Sequence, residues 1–127
     1  MQDKHIYEYS VIRVVPRVER EEFVNAGVIL FCKRKRFVKM LFTVNEAKLL
    51  MLSPNLDVEQ LRLNLDSFEK IARGAKDGGP IAQFETAERF RWLTAIRSSV
   101  IQTSRPHPGL CDDPDKVLER LFAEFVL

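Results

Sequence analysis

Arg13 is the side chain in this sequence that most needs a chemical explanation. It stands in the strand-like run Tyr7-Glu8-Tyr9-Ser10-Val11-Ile12-Arg13-Val14-Val15-Pro16, in phase with Tyr7, Tyr9 and Val11. A guanidinium among apolar neighbours must be ion-paired, stacked on a ring or directed into a cleft, because unpaired burial is costly. A structural pair with Glu22 or another carboxylate is one reading; recognition of a ligand or partner is the other. Asn25, before Ala26-Gly27, is either the turn that opens a strand or part of the same site, since Asn tolerates left-handed backbone and Gly close approach. Glu22 could work as an acid or base only beside a second carboxylate, and spacing identifies none. For Arg91, between Phe90 and Trp92, a solvated helix face or cation–π packing competes with anion recognition.

The other suspicious segment is Ser104-Arg105-Pro106-His107-Pro108-Gly109-Leu110-Cys111-Asp112-Asp113, which reads as a proline-stiffened loop. His107 and Cys111 would suit a metal only with two further ligands, and none stands at suitable spacing. A nucleophilic Cys111 lacks an identifiable base and orienting group. Gly-rich phosphate loops, lysine-bearing nucleotide motifs and paired metal carboxylates are all missing. No cofactor or metal is expected, and the enzymatic reading is the weaker one.

These residues must be held by one compact domain, residues 1–127, because a chain of this length has one core. An apolar share of 46% with 30% charged residues is ordinary for a soluble protein, and no apolar run reaches the ~20 residues of a spanning helix. The opening residues Met1-Gln2-Asp3-Lys4-His5 lack the apolar core of a signal peptide, so a cytoplasmic location is expected, without membrane partners. Cys32 and Cys111 are read as free thiols. The net charge of +2 is too small to imply nucleic acid, but the first 44 residues are basic and the rest nearly balanced. The excess comes largely from Lys33-Arg34-Lys35-Arg36. This run fits a hairpin tip that protects strand edges, or a phosphate-binding turn that lacks interleaved aromatics for stacking.

Residues 5–15 form a central strand, with Tyr7, Tyr9, Val11, Arg13 and Val15 on one face and Ile6, Ile12 and Val14 on the other. Pro16 ends it. Residues 25–32 and 36–44 make an antiparallel hairpin, with Val38, Met40, Phe42 and Val44 on one side. Asn45 caps a short helix that stops at Ser53-Pro54, and Asp57 starts a second with Val58, Leu61, Leu65, Phe68 and Ala72 on its buried stripe. Thr86 is expected to cap a helical run to Arg97, and 99–104 returns to the sheet beside the first or third strand. Asp113 and Pro114 open the final helix, whose stripe is Val117, Leu118, Leu121, Phe122, Phe125 and Val126. The class is α+β: an antiparallel sheet of about four strands with helices packed on one face.

Several strings, in order, resemble a bacterial family of about this length that is catalogued as a domain of unknown function. They are Tyr9-Ser10-Val11-Ile12-Arg13-Val14-Val15-Pro16-Arg17-Val18-Glu19-Arg20, Glu22-Phe23-Val24-Asn25-Ala26-Gly27-Val28, Glu88-Arg89-Phe90-Arg91-Trp92-Leu93-Thr94-Ala95, Ile101-Gln102-Thr103-Ser104 and His107-Pro108-Gly109-Leu110-Cys111-Asp112-Asp113-Pro114. Glu21 stands where the family often has glycine, and Ile96 where it often has proline before Arg97-Ser98. The matching positions are Arg13, Glu22, Asn25, Gly27, Arg89, Phe90, Trp92, Ser104, His107, Gly109 and Pro114. Many members are encoded beside HipA-like kinase-fold proteins, so the resemblance implies an accessory subunit with a protein partner.

Three functions are thus expected, in order. The first is non-catalytic partner binding through Arg13, Glu22, Asn25 and the 104–111 loop. The second is nucleic-acid binding through Lys33 to Arg36, and the third is an enzyme on a phosphorylated small molecule that uses Arg13 and Arg91. The apolar end at Leu127 leaves a homodimer open.

Overall fold

The computed structural model describes residues 4–97 and 99–127; the expectations that rest on Met1 to Asp3 and on Ser98 lie outside the described residues. The chain runs β1 (His5–Val14), β2 (Val24–Cys32), β3 (Phe37–Phe42), α1 (Glu46–Leu52), α2 (Val58–Ala72), α3 (Thr86–Leu93), β4 (Ile101–Thr103), β5 (His107–Cys111) and α4 (Pro114–Phe125). The fold is α+β, with an antiparallel sheet in the order β3-β2-β1. The far edge of β1 is shared: β4 pairs with Ile12 to Val14, and β5 with His5 to Tyr9.

Alternation along β1 and β2 produces two cores because neighbouring side chains leave a strand on opposite faces. Ile12 and Val14 join Ile29, Phe31, Val38 and Met40 under α1, α2 and α3, where Leu49, Leu61, Leu65, Phe90 and Leu93 fill the layer. Tyr7, Val28, Leu30 and Cys32 face the other way and meet Val117, Leu118 and Leu121 of α4. The sheet is therefore sandwiched, with α4 alone on the second face, where one helical layer was expected. The reason is β2, which is buried on both sides and has to be covered twice. Burial of a full Leu or Ile side chain contributes roughly 1.5–3 kcal/mol, so both layers matter to stability.

A bulge in β2 keeps these faces in order. Ile12 pairs with Gly27 but Arg13 pairs with Asn25, which leaves Ala26 as the extra residue. Asn25 thus lies inside the strand rather than in a turn before it. Gly27 is required by close approach: a Cβ there would lie 2.5 Å from the Leu41 carbonyl oxygen of β3.

Helix starts follow local chemistry. The side chains of Asn45, Asp57 and Asp113 accept backbone N–H bonds from Lys48, Gln60 and Asp115 at 3.0–3.1 Å. Thr86 is the first residue of α3 rather than its cap; Glu85 occupies the cap position without a side-chain bond. Residues 107–111, expected as a loop, form the edge strand β5. Pro108 is tolerated because an edge strand can spare a donor, and Gly109 lies flat under the Tyr7 ring, 2.4 Å from where its Cβ would be.

Candidate functional site

Two clefts open at opposite ends of β1. The first lies where β1 begins and β2 ends. Antiparallel pairing places Glu8 opposite Phe31, so the hairpin residues Lys33 and Arg34 come alongside the first residues of β1. Helix α3 adds Ala87 and Arg91, four residues apart and so on one helical face. The result is a cleft of about 380 Å³ lined by Lys4, Ile6, Tyr7, Glu8, Phe31, Lys33, Arg34, Ala87 and Arg91. Its floor is apolar, and its charged lining is four cations against the single carboxylate of Glu8. Lys4 reaches Asp112 at 3.1 Å, but among the described residues no carboxylate lies within 4.0 Å of Lys33, Arg34 or Arg91. The other two hairpin cations, Lys35 and Arg36, lie outside this lining; Arg36 has φ 49°, the left-handed residue that closes the turn.

Beside this cleft the sheet is bare. Ile6 and Leu110 are directly opposed across β1 and β5, which puts both side chains on one face. They are 65% and 64% exposed, whereas Ile12, on the same face of the same strand, is 1% exposed under the helices. The helical layer ends before this corner. It leaves an apolar pair next to cations that have no carboxylate partner among the described residues.

The second cleft, about 350 Å³, lies at the other end of β1 and is lined by Arg13, Val15, Val18, Glu21, Phe23, Arg97 and Gln102. Arg13 stacks on Phe23 at 4.4 Å from the ring centroid. Its expected partner is engaged elsewhere, because Glu22 binds Arg20 at 2.6 Å, and that hydrogen bond holds the Glu22 carboxyl below its ordinary range. Arg97 closes the end of α3: it donates to the carbonyls of Leu93, at 3.0 Å, and Trp92, and lies 4.5 Å from the Trp92 ring centroid. Burial lowers its pKa.

The residues singled out from the sequence therefore divide. Asn25 donates from Nδ2 to the Phe125 carbonyl at 3.1 Å and so ties the end of α4 to the sheet. The buried Ser104 hydroxyl accepts the Val11 N–H at 2.8 Å, bridging the gap on β1 between β4 and β5. His107 packs its ring 5.4 Å from that of Tyr9. Each of these side chains thus has a contact within the fold. Arg13 and Arg91 line different clefts, so no described pocket joins them as an enzyme of phosphorylated substrates would need. Among the described residues no three His, Cys, Asp or Glu side chains gather as metal ligands, and no helix is long and apolar enough to cross a membrane. Cys32 and Cys111 are buried free thiols, and burial raises the pKa of Cys111.

Sequence reasoning missed Lys4, Ile6, Leu110 and Arg97. Lys4 and Ile6 had a signal, since they continue the even face of β1 from Ile12 through Glu8; Leu110 had none, because its strand was not legible.

No curated protein and no solved structure matches the chain. One family does, over residues 9–126, an interval that takes in every strand and helix apart from the first residues of β1. The chain belongs to the family described as a protein of unknown function (DUF3037).

Proposed function

We propose that this protein is a non-catalytic partner-binding domain, and that its docking surface is the bare sheet corner of Ile6 and Leu110 with the adjoining basic cleft. The observation that carries this reading is the exposed apolar pair beside three cations that have no carboxylate partner among the described residues. Apolar area supplies affinity, and the rim charges supply orientation and rate. The complementary partner is an acidic protein segment with apolar anchors. A single-stranded nucleic acid would call for exposed rings to stack on, and the aromatic residues of this cleft, Tyr7 and Phe31, are both buried.

The resemblance to proteins encoded beside HipA-like kinase-fold proteins supports such a kinase-fold protein as the first partner to try. An accessory role in the cytoplasm fits two buried, unpaired thiols. Copurification of the native complex tests the reading. The double variant Ile6→Ser, Leu110→Ser is expected to keep the fold and release the partner, as is Arg34→Glu with Arg91→Glu. Retention of every partner by both folded variants contradicts it, and so does steeply salt-dependent retention of DNA or RNA in place of a protein.

A further inference from the structure

The Arg13 cleft lies at the far end of β1 from the docking corner and presents a different chemistry. Four observations meet there. The Arg13 guanidinium makes no hydrogen bond to any described residue, and its Nε is buried without a partner. The guanidinium carbon lies over the Phe23 ring, 4.4 Å from its centroid, a cation–π contact that restrains the side chain. The β2 bulge falls opposite Arg13, the kind of irregularity that re-aims a side chain. Glu21, also in the lining, is fixed by the backbone as the left-handed residue, φ 58°, that closes the 3-10 turn Val18–Arg20.

The lining favours one class of ligand. Arg13 and Arg97 carry two positive charges and Glu21 one negative, so one further negative charge balances the cleft. Arg97 is already engaged by the Leu93 and Trp92 carbonyls, which leaves Arg13 as the free donor. A guanidinium edge matches the two oxygens of a carboxylate in a planar, bidentate pair. Val15, Val18 and Phe23 line the rest with apolar surface, and about 350 Å³ is enough for a small molecule. We propose that this cleft binds a small organic monocarboxylate with an apolar body, its carboxylate paired with Arg13 and its body lying against Val15, Val18 and Phe23. The site stands independently of the docking corner.

Benzoate is a suitable probe. Titrating benzoate or inorganic phosphate into the full chain, with sodium chloride holding ionic strength constant, can be followed by NMR on the arginine Nε–H signals and the amides of residues 13, 23 and 102. The expected result is a saturable benzoate shift at Arg13 Nε–H, weakened at least roughly ten-fold by Arg13→Gln. Phosphate should produce no saturation over the same range. Arg13→Lys, which keeps the charge but not the fork, should also lose most of the affinity and serves if the Gln variant does not fold. Equal benzoate affinity in either folded variant overturns the proposal, and so does saturation by phosphate but not benzoate. The Asn25 Oδ1 atom, across the strand pair, is also buried without a partner. An Arg13 Nε–H that is protected in the free protein and unmoved by benzoate would show that it donates a hydrogen bond to that oxygen, and would refute the site.

Discussion

The two ends of β1 carry the same alternation of apolar residues and meet opposite fates. At one end Ile12 and Val14 are sealed beneath α2 and α3; at the other Ile6 faces solvent beside Leu110. Backbone pairing does not explain the difference, since β1 is hydrogen-bonded on both edges at each end, to β2 and β4 or to β2 and β5. Cover explains it. The helices between β3 and β4 are long enough to roof three strands at one end, and the hairpin cations with Arg91 occupy the place where the roof stops. The same face of β1 is thus sealed at one end and leaves the pair Ile6 and Leu110 exposed at the other.

The comparison can be broken most easily at the covered end. Ile12→Ala removes a buried side chain that few neighbours can replace, and should cost about 2–5 kcal/mol of unfolding free energy by urea titration. Ser104→Ala should cost about 1–3 kcal/mol, because the buried Val11 N–H then lacks its acceptor. Equal costs for Ile12→Ala and Ile6→Ala would end the distinction between the two ends.

The thiol cluster on the α4 face should show in the pH dependence. Burial raises the folded-state pKa of Cys111, so the folded protein binds its proton more tightly than the unfolded chain. That contribution is complete below the ordinary thiol value of about 8.5 and is lost as pH rises through the raised one. Unfolding midpoints measured between about pH 8 and pH 10 should therefore fall, and Cys111→Ala should flatten the slope. A midpoint that rises over this interval would contradict the burial of the thiol.

The smallest expected effect on stability is at the open end. Ile6→Ser and Leu110→Ser should each change unfolding free energy by less than about 0.5 kcal/mol, as at other exposed positions. The same substitutions should produce the largest loss of partner binding.

The class, the strands of the hairpin, the caps at Asn45, Asp57 and Asp113 and the stripe of α4 could all be read from the sequence, because each rests on local chemistry. The α4 layer could not. Val28, Leu30 and Cys32 alternate with Ile29 and Phe31, so β2 reads as apolar throughout and does not show which face takes which helix. β5 was hidden by two prolines and a glycine that ordinarily break strands, and the bulge at Ala26 depends on strand register, which local sequence does not show. Among site residues, Arg13 stood out as a group in need of a partner, and the ion pair read for it with Glu22 is not formed. Glu22 had a nearer cation in Arg20, which strand phase alone does not reveal. The basic hairpin was visible as charge, but its meeting with Arg91 depends on how α3 crosses the sheet.

A photoreactive benzoylphenylalanine placed at position 110, and separately at position 63 on α2, tests the central claim most directly. Leu63 is 60% exposed, close to the 64% of Leu110, but lies on the helical surface away from the bare corner. On irradiation of the native complex, the account predicts a covalent adduct with the partner from position 110 and none from position 63. An adduct from position 63 alone would contradict it.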